Sequence, residues 1–265
     1  MTEPVGPCLG ARELDPSVDV GATTDRVEVE LSAEVTRGLT TTVPRVFHGS
    51  VEDGLLSALA LAVVRWRRER GIDIDAMSIA IEGHGREDQV LPGADLSRTV
   101  GWFTSLYPVR FDLSGIDVGG AMSGDAPAGA VVKAVKETMR SIPDHGIGFG
   151  LLRYLDDDTG PALSARAVPE ISFNYLGRFD PGTGGTWLPV DDSELRGVVA
   201  PDLSVTAVID VNAATVPGPD GPRITATWDC PRGILSPGEV DQLAQWWIRA
   251  AEALVEHAGT PGRAG

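Results

Sequence analysis

Lysine is nearly missing from this chain of 265 residues, occurring only at Lys133 and Lys136, and 22 Lys+Arg face 38 Asp+Glu. The resulting net charge of −16 argues against nucleic-acid backbones and anionic membranes as partners, because both repel an acidic protein. Small molecules and other proteins are the expected partners. Cysteine is scarce as well: Cys8 and Cys230 cannot build a disulfide framework, and no C-x-x-C pair suggests a redox or zinc site. A reduced, cytoplasmic home is expected. No run of about 18 apolar residues occurs, and "MTEPVGPCLGARELDPSVDVGATTD" lacks the basic start and apolar centre of a signal peptide. Nothing is expected to export or anchor the chain, and Met1 ahead of a Pro/Gly-rich lead reads as a natural start.

Catalytic signatures are missing too. There is no H-E-x-x-H and no G-x-S-x-G, and His48, His84, His145 and His257 are scattered, so no metal or serine-hydrolase site is expected. The glycines of "GIGFG" (Gly146 to Gly150) and "GTGG" (Gly182 to Gly185) lack the strand-to-helix setting of a nucleotide loop.

What is present is 42% hydrophobic residues, enough for one large or two small cores. Residues 1–24 show no apolar period and read as a tail or an arm laid over the domain. "RVEVEL" (Arg26 to Leu31) alternates like a half-buried strand, and Ser32 caps a short helix to Leu39. In "SVEDGLLSALALAVVRWRRERG", Ser50 and Asp53 form a capping box, Leu55, Leu56, Leu59, Ala62, Val63 and Trp66 share a face, and Gly71 ends the helix. Strands are predicted over Ala76 to Glu82, Phe103 to Leu113 with a distortion at Pro108, Glu170 to Leu176, Leu203 to Asn212 and Arg223 to Asp229. "AATVPGPDGP" reads as the hairpin connection between the last two. Helices follow over Ala126 to Ser141, after a glycine-rich link from Ser114, and over the C-terminal segment, with Ser236 as N-cap, Pro237 in the first turn and Glu239 closing the box. Strands and helices mix without strict alternation, so the fold class is α/β (α+β), a mixed sheet packed with helices.

"SIAIEGHGRE" (Ser78 to Glu87) is the first place where chemistry is expected. Strand alternation puts Glu82 on the face of Ser78 and Ala80, away from Met77, Ile79 and Ile81. A carboxyl leaving a strand among apolar neighbours loses hydration and binds its proton more tightly, which suits acid/base work near neutral pH. Gly83 and Gly85 open backbone conformations that bring His84 or a ligand close. The plainer alternative is a solvated glutamate in a surface turn. "RTVGWFTSLYPV" (Arg98 to Val109) and "FNYLGRFD" (Phe173 to Asp180) offer the Tyr175 hydroxyl and the Asn174 amide, with Asn174 on the face opposite Phe173 and Tyr175. Trp102, Phe103 and Phe173 read alternatively as core.

"DGLLSALA", "EGHGRE", "RTVGWFTSLYPVRFD", "PDHGIGFG" and "FNYLGRFD", in that order along the chain, resemble the motifs of the C-terminal half of epimerization domains of nonribosomal peptide synthetases, relatives of the condensation domains. The resemblance spans nearly all of residues 25–258, leaving 259–265 as a tail. It implies one lobe of a two-lobed fold similar to chloramphenicol acetyltransferase. It further implies inversion at the Cα of an aminoacyl or peptidyl thioester on the phosphopantetheine arm of a carrier protein, with no bound cofactor. Carried over by motif, Glu82 matches the acid/base glutamate and Tyr175 the tyrosine near the intermediate, while His84, Arg86, Asn174 and Trp102 are the expected substrate-binding side chains. The H-H-x-x-x-D-G motif of the other lobe has no counterpart, and the chain contains no His-His pair.

Two functions remain open: an isomerase, acting by epimerization or a related enolate-type isomerization or cyclisation, or a non-catalytic module that binds a carrier protein or synthetase. A lobe excised from a larger synthetase is a third origin for the same sequence. The expected partners are a peptidyl carrier protein, a synthetase or a companion first-lobe chain, in a homo- or heterodimer. The sheet side that would line the tunnel is expected to be exposed and apolar.

Overall fold

The computed structural model describes residues 9–87, 90, 93, 95–179 and 200–260. Residues 1–8 of the lead, Gly182–Gly185, Asp180 and the tail from 261 lie outside the described residues.

The chain runs β1 (Thr24–Glu30), α1 (Ala33–Arg37), α2 (Val43–Phe47), α3 (Val51–Glu69), β2 (Ala76–Gly83), β3 (Ser105–Asp112), α4 (Val118–Met122) and α5 (Ala126–Arg140). It continues through α6 (Ile147–Tyr154), α7 (Gly160–Ser164), β4 (Ile171–Arg178), β5 (Ile209–Val216), β6 (Arg223–Pro231) and α8 (Pro237–Gly259). The long helices begin where the capping chemistry predicts. Ser50 Oγ accepts from Asp53 N at 3.0 Å and Asp53 Oδ2 from Ser50 N at 2.6 Å, while Ser236 and Glu239 exchange the same pair of bonds at 3.3 and 2.9 Å.

The strands form one six-stranded sheet, ordered β1-β6-β5-β4-β2-β3. Antiparallel pairs stand at both ends, and the central β5-β4 and β4-β2 pairs are parallel. One face is covered by helices. Met77, Ile79, Ile81, Val109, Phe111, Ile171, Phe173, Val211 and Trp228 are buried there with the α3 run from Leu55 to Val64 and with Trp247 of α8. Each such large side chain contributes about 2 kcal/mol on leaving water. Trp228 and Trp247 meet edge to face at 5.9 Å, which ties β6 to α8.

Several expectations are corrected. The strand placed at Leu203–Asn212 starts at Ile209 and continues to Val216, so "AATV" is strand and not connection. Residues 203–205 find their partners on the N-terminal segment instead: Gly21 N donates to Leu203 O at 3.0 Å and Val205 N to Asp19 O at 2.9 Å, with a bridge between Val20 and Ser204. Pro108 does not break β3, because β3 is an edge strand and needs no further N–H donor there. The face turned away from the helices is polar and not apolar. It carries Arg26, Glu28 and Glu30 from β1, Thr225, Thr227 and Asp229 from β6, Asp210 and Asn212 from β5, Ser172 and Asn174 from β4, and Ser78 and Glu82 from β2. Alternation alone places these residues, and their side chains hydrogen-bond to one another across the strands.

Candidate active site

Glu82 leaves β2 one residue before its end, paired across β3 with Leu106. Because Ala80 aligns with Ser172 and Ile81 with Phe173 in the parallel β2-β4 pair, Glu82 faces Asn174. Asn174 Nδ2 donates to Glu82 Oε2 at 3.2 Å. The carboxyl is half-buried, and burial first, the nearby Asp210 charge second, push its pKa above the ordinary glutamate value.

Asp210 belongs to the same face. It accepts from Ser172 Oγ and, at 3.0 Å, from Asn212 Nδ2. Burial raises its pKa, the bonds from Ser172 and Asn212 oppose that rise, and Asp229 and Arg26 act in opposite senses more weakly. Arg26 itself grips Asp229 with two bonds at 2.7 and 2.8 Å. A carboxyl with tightened proton affinity, held by one amide beside a second anchored carboxyl, is equipped to take and return a proton.

The loop after Glu82 is tightly determined. Gly85 has φ +64°, and a Cβ there would lie 1.5 Å from the Phe103 carbonyl oxygen, so only glycine fits. Arg86 donates to Leu96 O at 2.7 Å and stacks over the Phe103 ring at 4.4 Å. His84 Nδ1 accepts from Arg86 N at 2.9 Å while the ring projects outward, 71% exposed. Glu87, only 8% exposed, lies 2.8 Å from His145 Nδ1 and 3.6 Å from His84 Nε2, joining "EGHGRE" to "PDHGIGFG". His145 and Asp144 both take positive φ, and a Cβ on Gly146 would strike the Tyr107 ring at 2.2 Å.

Glu82 and Asn174 are therefore brought together. Tyr175 is not with them: it faces the helix-covered side, and its hydroxyl pairs with Thr215 Oγ1 at 2.8 Å. Trp102 is 93% exposed, so it is not core, whereas Phe173 is fully buried. His84 and Arg86 spend their contacts within the loop. Sequence reasoning missed Asp210, Ser172 and Asn212, although Asp210 standing between Ile209 and Val211 was a signal by parity alone. Glu87 and His145 were also missed, though both stand inside quoted motifs. Among the described residues, no three His, Cys, Asp or Glu are grouped to hold a metal ion, and no single helix is long and apolar enough to cross a membrane.

Residues 12–194 match the condensation domain family. The chain is 36% identical over 239 residues to a linear gramicidin synthase of Brevibacillus parabrevis, covering 89% of this chain and 4% of that one. Among solved structures it is similar to the epimerization domain from the third module of tyrocidine synthetase B. There the TM-score is 0.76 at 28% identity, over 97% of this chain and 52% of that one. The X-domain from teicoplanin biosynthesis shares the fold at a TM-score of 0.58 and 18% identity, over 99% of this chain and 52% of that one. The chain thus spans about half the length of both solved domains.

Proposed function

The chain belongs to the condensation-domain family of nonribosomal peptide synthetases, and on that premise we propose that it is the glutamate-bearing half of an epimerization unit. The support is Glu82: a half-buried carboxyl at the end of a central strand, oriented by Asn174, with its proton affinity raised by burial and by Asp210. The greater likeness to an epimerization domain than to the X-domain points the same way.

In this reading the substrate is an aminoacyl or peptidyl thioester carried on the phosphopantetheine arm of a carrier protein. The Glu82 carboxylate takes the Cα proton, and the C–H electron pair moves toward the thioester carbonyl to leave a planar enolate. Returning a proton to the opposite face inverts the centre, and that requires an acid on the far side of the plane. The His-His motif that the resemblance places in the other lobe would supply it. Tyr175 ties β4 to β5 by its bond to Thr215 and is not one of the groups that hold Glu82.

The test is wash-in of deuterium at Cα of a carrier-bound aminoacyl thioester in heavy water, with a first-lobe protein present. Glu82→Gln should lower the exchange rate by about 10²-fold or more. Exchange that survives the substitution sinks the proposal. A second reading, a non-catalytic module that docks a carrier protein or synthetase, is favoured by the exposed Leu151, Tyr154 and Leu155 at and just after α6. It expects carrier binding without exchange, and binding unchanged in Glu82→Gln.

A further inference from the structure

On the open face of the sheet Glu82 and Asp210 stand in neighbouring rows, and the proton mechanism uses only Glu82. Glu82, Asn174 and Asn212 stand in one row across β2, β4 and β5, because Asn174 and Asn212 are directly paired. Ala80, Ser172, Asp210 and Asp229 form the row beside it. Each carboxyl takes a side-chain amide: Asn174 Nδ2 turns to Glu82, and Asn212 Nδ2 turns back to Asp210. Among the described residues, Asp210 and not Glu82 takes a hydroxyl as well, from Ser172. We infer that Asp210 is a positioning residue for Glu82: fixed by Ser172 and Asn212 as the charged member of the pair, it leaves Glu82 as the group that exchanges protons.

The physical basis is the asymmetry of donors. Two adjacent carboxyls that have both lost hydration cannot both ionise easily, and the proton goes to the one whose charged form has fewer donors. Ser172 and Asn212 favour the Asp210 anion, whereas among the described residues Glu82 has the one Asn174 bond, long at 3.2 Å. The other charged groups on this face do not reverse the order. On the β1 and β6 side Arg26 is spent on Asp229 in a two-bond pair, whose two charges act on Asp210 in opposite senses. Glu28 and Glu30 lie on β1, separated from β2 by β6, β5 and β4, and on β3 Arg110 stands opposite Ser78 and pairs at 3.7 Å with Asp112. The order matters for catalysis because a proton parked on Asp210 would be out of line with Asn174.

This inference rests on Glu82 as the acid/base group, but its test does not need turnover. Carbon-13 at glutamate side-chain carboxyls reports each titration by NMR, and the Glu82 signal is the one lost in Glu82→Gln. In the full chain, Asp210→Asn should move the Glu82 titration midpoint downward while circular dichroism stays unchanged. Ser172→Ala is a milder second variant: without the hydroxyl, Asp210 competes better for the proton, and the Glu82 midpoint should again fall. A Glu82 midpoint that stays in place in either folded variant overturns the coupling. If the midpoint moves in both while no deuterium enters the substrate under any condition, the coupling stands and the epimerization reading fails.

Discussion

Glu52, in the first turn of α3, is a carboxyl that the proposed chemistry does not use and folding must still accommodate. Burial first, and the Asp53 charge second, push its pKa from 4.5 up to about 7. Between those two values the folded chain holds a proton that the unfolded chain has released. Its contribution therefore disfavours the folded state progressively as pH rises across that window, and becomes constant above it. The partial positive charge of the helix N-terminus offsets some of the cost, leaving on the order of 2 kcal/mol. Glu52→Gln should match the parent below pH 4.5 and be more stable by about that amount at pH 8. Urea unfolding at the two pH values checks this, and equal stabilities at pH 8 would show that Glu52 remains hydrated. Gly85 sets a sharper limit: with positive φ and a Cβ 1.5 Å from Phe103 O, Gly85→Ala must displace the loop. Deuterium wash-in should then fall toward the level of Glu82→Gln, since a small displacement of the reacting group costs about 10²-fold.

Among the elements, the two motif loops are joined through the Glu87 carboxyl, whose side chain is 8% exposed. Glu87 joins His145 to the turn that carries His84, and neighbouring Asp144 and His145 accept positive φ to make the contact. Glu87→Ala removes that tie, so amide hydrogen exchange should quicken both at residues 83–87 and at 143–147 while α8 is unaffected. Faster exchange at one loop alone would show that they are not coupled. These loops also mark how far the sequence was legible. Helix starts at Ser50 and Ser236 could be read because a capping box is local chemistry, and the parity of Glu82 because alternation is local too. The α6 helix was hidden by Gly146, Gly148 and Gly150, poor helix formers that tertiary context overrides. The start of β5 was misplaced because residues 203–205 take hydrogen-bond partners from a segment some 180 residues earlier. The order that sets β4 between β2 and β5, and so brings Asn174 to Glu82 and Asp210 within reach, is a long-range fact that no local pattern carries.

At the scale of the whole molecule, the polar face decides what kind of surface can cover the site. The chain covers about half of the epimerization domain it is similar to, and its catalytic candidates stand on a face of Glu28, Glu30, Glu82, Asp210 and Asp229 with Arg26 and several hydroxyls and amides. Covering such a face strips water from charges, so a companion must bring donors and cations to replace it. Binding there is then expected to weaken as salt screens the attraction, most steeply between low ionic strength and about 0.15 M, where the screening length falls to about 8 Å. The competing location is apolar: Leu151 and Tyr154 of α6, and Leu155 after it, are exposed on the helix that packs beside β3. A companion docked there would bind with little response to salt, because burial of apolar area does not depend on screening. Sedimentation of the chain with a first-lobe protein at low and physiological ionic strength separates the two. Affinity that falls with salt, and that Asp229→Lys reduces further, places the companion over Glu82. Affinity indifferent to both moves it to α6, and leaves the Glu82 face without the second proton donor that inversion requires.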